Sequence, residues 1–324
     1  MRWIVIGAGS VGRRHLRNLR ARGERDVVAV RRDAAPLDGD LRDMPTARTI
    51  AEARGSGDAA AIICTPTARH VEDALEALGE GCHVLIEKPL ADRPERFGEL
   101  RASAARASRL VGVAHCFRFH PLLQRVRSDV AAGRIGTPVS AAVWCGQHLA
   151  DWRPGRDYHE TYSARRDQGG GVLLDLVHEL DYCDWIFGPV QTLTATVKNT
   201  GALGIDVEDV ADVRMAARGD LVVECHLDYL ARPATRGGRV VGDQGSLVWD
   251  LLAGTASASD GRTTMPFEVP SDARDEMYRT ELAAFADAIA GRAPFPVGLD
   301  AGERAVRIAL AARESGTSGR RVAL

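Results

Sequence analysis

The segment Gly7-Ala8-Gly9-Ser10-Val11-Gly12 constrains this chain more than any other. It follows four apolar residues, Trp3-Ile4-Val5-Ile6, that read as a strand, and it opens a helix-like stretch over about 11–21. A strand that enters a helix through GxGxxG needs its glycines for different reasons. The first permits a tight turn, the second lets backbone approach a phosphate, and the third lets helix and strand pack closely. Short apolar runs then recur at Val27–Val30 and at residues 60–64, 83–86 and 110–113, separated by helical patterns such as Val71, Ala74, Leu75 and Leu78. Nearly continuous apolar strands between helices imply a parallel sheet covered on both faces, with right-handed crossovers. That is a doubly wound α/β Rossmann fold.

The rhythm changes after Arg118. A helix is expected over about 121–132 and a strand over 139–144. A polar stretch rich in arginine and tyrosine runs to Gln168, and a long helix over about 171–187 follows it. Strand-like runs near 192–198, 207–216, 221–229, 238–242 and 246–251, with turns such as Arg218-Gly219-Asp220, read as a mostly antiparallel sheet. Two more helices are expected over about 275–290 and 300–313. The expected organisation is a dinucleotide-binding Rossmann domain over 1–118 and an α+β domain over 119–324. The second would carry the mostly antiparallel sheet. A chain of 324 residues suits two domains.

A formal net charge of -2 gives no basic field for nucleic acid. The six cysteines are scattered without a CxxC or Cys/His ligand spacing, so neither a disulfide scaffold nor a metal site is expected, and a reducing cytoplasm is the default compartment. No apolar run reaches membrane-spanning length, and no secretory signal is apparent near Met1.

Several residues carry chemistry. Gly7, Gly9, Ser10, Val11 and Gly12 are expected to hold a pyrophosphate at a helix N-terminus, where free N–H groups and a partial positive charge meet. The second strand ends at Val30, and Arg31-Arg32-Asp33 follow. An acidic residue at this place bonds a ribose 2′-hydroxyl, whereas arginine accommodates a 2′-phosphate, so NADP is favoured, with NAD served by Asp33 as the alternative. Lys88, in Glu87-Lys88-Pro89, directly follows the fourth strand, at the sheet end where α/β proteins bind ligands. Behind Gly169-Gly170-Gly171, Asp175 and His178 are three apart. Their side of the helix is expected to lie opposite the face of Leu173, Leu176, Val177 and Leu180. An imidazole is suited to take a hydroxyl proton as hydride leaves carbon. Arg153, Tyr158, Tyr162 and Arg165 suit a hydroxyl-rich or anionic ligand, such as a sugar phosphate or sugar nucleotide, against the plainer reading of a solvated loop.

Taken together, GAGSVGRRHLRNL, ICTPTARH, VLIEKPLA, the RFHP at 118–121, GGGVLLDLVHELD and ESGTSGRRVAL resemble the glucose–fructose oxidoreductase / inositol dehydrogenase (Gfo/Idh/MocA) family, over essentially the whole chain. The resemblance implies a Rossmann domain followed by an α+β domain whose open-faced, mostly antiparallel sheet supports substrate binding and oligomerisation, and hydride transfer between a nicotinamide and a carbinol or carbonyl carbon of a sugar, cyclitol or sugar nucleotide. It implies cofactor contacts from Thr65, Pro66, His70, Glu87 and Lys88, a substrate contact from Arg118, and a homodimer or homotetramer. By the same resemblance His178 is the general acid/base, Lys88 polarises the reacting oxygen and Asp175 orients it. Two departures stand out. Many members place four residues from Asp to His where this chain has three, and the usual Asn two residues before the RF pair is Cys116 here. Two other readings of such a chain are a glycoside-cleaving enzyme that cycles a tightly bound NAD, and a non-catalytic dinucleotide sensor.

Overall fold

The structure, a computed structural model, describes residues 1–33, 35–270 and 273–324. The chain divides into two units, Met1–Cys116 with Tyr278–Glu303, and Phe117–Met277 with Arg304–Leu324.

In the first unit β1 (Arg2–Ile6), β2 (Val27–Val30), β3 (Thr46–Ala47), β4 (Ala59–Ile63), β5 (His83–Glu87) and β6 (Val111–Ala114) form one sheet. Its order is β3-β2-β1-β4-β5-β6 and every pair is parallel. This is the doubly wound arrangement expected from the alternation of strands and helices. Helices α1 (Ser10–Ala21), α2 (Ile50–Arg54), α3 (His70–Gly79) and α4 (Phe97–Ala107) connect the strands. In α1 the buried positions Gly12, His15, Leu16 and Leu19 recur at helical spacing, and the arginines take the other side. The pattern reading above misses β3 and α2. Yet Thr49 caps α2 by accepting the amide of Glu52, whose carboxylate in turn accepts the backbone N–H of Arg48, just before the cap; Thr-x-x-Glu is a helix-start signal written in the sequence.

The chain leaves the first unit after Cys116, and the later segment Tyr278–Glu303 returns to it. It carries Phe285, whose ring lies 6.4 Å from that of Trp3, and Val297, whose carbonyl accepts the amide of Val113 at 2.9 Å. Gly112 leaves room for Phe295, since a Cβ there would sit 2.5 Å from its ring. The strand edge and apolar surface at β6 need cover, and burying each large side chain contributes about 1.5–3 kcal/mol.

The second unit contains α5 (Pro121–Ala131), β7 (Pro138–Gly146), α6 (Val172–Asp175), α7 (Val177–Phe187), β8 (Thr192–Lys198), β9 (Val210–Ala216), β10 (Val222–Asp228), β11 (Thr235–Gly242), β12 (Ser246–Asp250), β13 (Thr255–Ser259) and β14 (Thr264–Glu268). Two helices, α8 (Ala273–Ile289) and α9 (Leu299–Ser318), and the short β15 (Val322–Ala323) follow. The nine strands run in the order β14-β13-β12-β11-β7-β10-β9-β8-β15, antiparallel except for β7 beside β10. Strands β13, β14 and β15 have no counterpart in the pattern reading: β13 is all Thr, Ala and Ser, β14 carries Pro266 at its centre, and β15 is two residues long. One face of the sheet is buried through Val213, Met215, Val223, Leu227, Leu247 and Trp249. The other is open, with a concavity of about 500 Å³ lined by Trp144, Thr196, Asp212, Arg214, Glu224 and His226. Among the described residues no helix is long and apolar enough to cross a membrane.

The single helix expected over 171–187 is in fact two. Leu176, at φ -95° and ψ 29°, breaks it between α6 and α7. Asp175 and His178 therefore sit on either side of a kink. Neither occupies a solvated face, for both are buried along with their neighbours.

Candidate active site

In the first unit the glycine turn is shaped by backbone. Gly7 has φ +94°, and a Cβ on it would lie 2.7 Å from the carbonyl oxygen of Cys64. A Cβ on Gly12 would run into the carbonyl oxygen of Gly7, whereas one on Gly9 would meet nothing within 4 Å. The outer glycines thus serve the fold, and the middle one borders open space. No side chain caps the N-terminus of α1, and its first turn holds no acidic residue. Ser10 is exposed and Val11 half-buried beside it. An uncapped helix end behind an open glycine is a cradle for a pyrophosphate.

At the end of β2 the two arginines part company. Nη1 of Arg31 donates to the carbonyls of Ala35 at 3.1 Å and Pro36 at 3.2 Å, and its Nε lies 3.5 Å from the Asp33 carboxylate. Arg32 is exposed. The amide of Ala35 donates to Asp33 at 3.0 Å.

The side chains expected beside the nicotinamide do other work. The hydroxyl of Thr65 donates to Asp73 at 2.6 Å; Pro66, next to it, is half-buried. His70 is buried, with one ring nitrogen 2.7 Å from the carbonyl oxygen of Pro89 and the other 2.8 Å from that of Thr65. Burial lowers its pKa. It braces two loops and has no surface to offer a ligand. Glu87 is buried as well, 2.7 Å from His15. Lys88, half-buried, directly follows β5. Cys116 is buried, and burial pushes its thiol pKa well up.

In the second unit the glycine triplet sets the chain for α6. Gly171, at φ +105°, precedes the helix, and a Cβ there would lie 2.5 Å from Glu208. The carboxylate of Asp175 then receives two hydroxyls, from Tyr162 at 2.6 Å and Tyr229 at 3.2 Å. Tyr229 is fully buried, and burial next to Asp175 raises its phenol pKa, so it stays a donor. Tyr229 was not expected from sequence: it lies 54 residues from Asp175 just beyond a strand, and nothing local marks it.

His178 lies against Phe117, ring centroids 4.7 Å apart. The guanidinium of Arg236 sits 4.1 Å from the Phe117 centroid and grips Glu179, the neighbour of His178, through two bonds of 2.7 and 3.0 Å. Glu179 is fully buried, so it needs this partner. His120 stacks on the same ring, and burial, then the charge of Arg236, lowers its pKa to about 4.

The substrate-binding arginines and tyrosines proposed from sequence are largely engaged within the unit. Arg118 forks onto Asp181 at 2.9 and 2.7 Å. Arg165 pairs with Asp167 on the surface, and the hydroxyl of Tyr158 donates to the carbonyl of Leu203 at 3.1 Å. Arg153 lies over the ring of Tyr162, 5.7 Å from its centroid. Of this group, Tyr162 and Arg153 adjoin Asp175 most directly.

Comparison with known proteins bears on both units. Residues 1–115 match the family model described as an oxidoreductase family with an NAD-binding Rossmann fold, and residues 123–248 match the GFO/IDH/MocA C-terminal domain. The chain is 29% identical to a 1,5-anhydro-D-fructose reductase of Ensifer adhaerens, over 90% of this chain and 88% of that protein. Among solved structures, an inositol dehydrogenase homologue of Azotobacter vinelandii complexed with NAD+ has a TM-score of 0.83 at 20% identity, covering 100% of this chain and 98% of the other. The WlbA dehydrogenase of Bordetella pertussis, in complex with NADH and UDP-GlcNAcA, also has a TM-score of 0.83 at 20% identity, with the same coverage.

Proposed function

Because the chain belongs to the Gfo/Idh/MocA oxidoreductase family, with its NAD-binding Rossmann fold, we propose that it is an NADP-dependent dehydrogenase/reductase acting on a CH–OH carbon of a sugar or sugar derivative. The observation that carries this reading is the pair behind the glycine triplet, a carboxylate held by two tyrosine hydroxyls and an imidazole three residues on. The open approach at Gly9 and the uncapped end of α1 fit a dinucleotide. When bound, its nicotinamide supplies the hydride acceptor or donor.

The residues have separate roles. His178 takes the hydroxyl proton during oxidation and returns it during reduction, and imidazole suits both directions near neutrality. Lys88 donates a hydrogen bond to the reacting oxygen. Asp175, oriented by the hydroxyls of Tyr162 and Tyr229, accepts from a substrate hydroxyl. Arg153 faces the same part of the ligand. Arg32, exposed where Arg31 is turned back onto its own loop, is the contact for a 2′-phosphate. The relatives above that act on 1,5-anhydro-D-fructose or bind a UDP-sugar support a hydroxyl-rich substrate. The open sheet face, with Trp144 at its centre, is the contact for a second copy of the chain, and sedimentation of Trp144→Arg tests that part.

Calorimetric titration with NADP+ and with NAD+ tests the cofactor. Preference for NADP+, lost in Arg32→Ala and retained in Arg31→Ala, is the expected result. Preference for NAD+ overturns it. A screen of NADPH oxidation with 1,5-anhydro-D-fructose, keto-inositols and oxidised sugar nucleotides tests the substrate class, and silence across all three defeats it.

A further inference from the structure

The two oxygens of Glu87 are used differently. Oε1 lies 2.7 Å from Nε2 of His15, in the second turn of α1, and Oε2 accepts the backbone N–H of Lys88 at 3.2 Å. Both side chains are closed off, His15 at 0% and Glu87 at 6% exposure, so no ligand reaches them. Burial alone would raise the pKa of Glu87. The bond from His15 and the charge of Lys88 outweigh it and hold the carboxyl below its ordinary value. An ionised carboxylate only accepts, so Nε2 of His15 carries the proton. The bond spans 72 residues of sequence. It joins the helix that starts at the glycine turn to the residue before Lys88.

The neighbours leave His15 little freedom. The Tyr278 ring meets it edge-on at 6.0 Å and carries the Arg14 guanidinium at 4.8 Å from its centroid. Glu281 is fully buried nearby, and burial, then the charge of Glu87, raises its pKa well above the ordinary carboxylate value. On the far flank His70 holds the carbonyl of Pro89. The Lys88 peptide is thus fastened on both sides by side chains that touch no ligand.

We propose that His15 and Glu87 are positioning residues: their hydrogen bond fixes Lys88 relative to the dinucleotide-binding turn. The inference rests on the reading that Lys88 serves the reacting oxygen, and it names what places the lysine there.

The sequence offers an unusual test, because the chain has only two lysines, Lys88 and the exposed Lys198. Full-length protein grown on ε-13C-lysine gives two NMR signals, and Lys198→Arg assigns them. The Lys88 signal is expected to stand apart from that of Lys198 and to move on saturation with NADP+. In His15→Ala it shifts towards the position of an exposed lysine and broadens. With the substrate from the screen above, kcat falls about tenfold or more while the Kd for NADP+ stays within about threefold. His15→Gln, whose amide nitrogen reaches near the place of Nε2, restores the signal and the rate. Glu87→Gln keeps the volume and satisfies only one of the two bonds, so it moves the Lys88 signal part of the way, and it serves where His15→Ala does not fold. A Lys88 signal unchanged in both His15→Ala and Glu87→Gln overturns the proposal. Lys88→Ala with undiminished turnover defeats instead the role given to Lys88, and leaves the NMR result standing.

Discussion

The surface suited to a ligand in the first unit is made of backbone, and in the second it is made of side chains. At the glycine turn a Cβ on Gly9 would meet nothing within 4 Å and, among the described residues, no side chain caps the first amides of α1. Around α6 and α7 many of the polar side chains already have a partner: Tyr162 and Tyr229 go to Asp175, Arg236 to Glu179, Arg118 to Asp181. The same contrast runs inside the first unit, where Thr65, His70 and Glu87 turn inward as braces. Backbone groups at a helix end have few alternatives. A charged side chain on a long stem finds the nearest opposite charge, since leaving it buried and unpaired costs several kcal/mol.

That contrast breaks most visibly at the glycines. Gly12→Val should abolish dinucleotide binding, a loss of about a hundredfold or more, and lower the thermal midpoint, because its side chain meets the Gly7 carbonyl. Gly9→Ala should leave the midpoint unchanged and weaken binding about tenfold, since only the ligand's approach is affected. Calorimetry beside thermal melts separates the two, and equal midpoints would show that both glycines serve the ligand alone. In the second unit His178→Ala should cut kcat by about 10²–10⁴-fold with dinucleotide affinity retained. A rate close to that of the parent removes His178 from the chemistry.

Smaller effects sharpen the side-chain half. Tyr229→Phe takes a donor from a buried carboxylate and should cost about 1.5–3 kcal/mol in urea unfolding, against about 0.5–1.5 kcal/mol for Tyr158→Phe, which loses a bond to a neutral carbonyl. Equal costs would mean that the Asp175 network is no more than ordinary packing. The least effect is expected on the open sheet face. There the hydrogen bond to Asp228, opposed by partial burial and assisted by Asp212, raises His226 to about 9. With the folded pKa above the unfolded one, this contribution is complete below the ordinary histidine value of 6.5 and is lost as pH rises through about 9. The urea midpoint should therefore decline over that window, and His226→Asn should flatten the decline.

Much of this was legible in the chain. The period of apolar runs and the glycine turn specify the parallel sheet and its order of strands, because βαβ handedness and short connections leave few alternatives. The strands of the second sheet could be read where bulky residues alternate and were missed in Thr255–Ser259, which is all Thr, Ala and Ser, and in Thr264–Glu268, where Pro266 interrupts a five-residue run. The kink at Leu176 has no sequence mark at all, being neither glycine nor proline.

By itself the sequence determined the Rossmann unit and its glycine turn, since the strand–helix period and the turn chemistry are each written in a short stretch of chain. Only the tertiary structure decided which side chains remain available. His70 became a brace, Arg118 an ion pair, and Tyr229 and His15 gained roles across 54 and 72 residues, because a polar group in a closing interior takes the partner that folding brings to it, however distant in sequence.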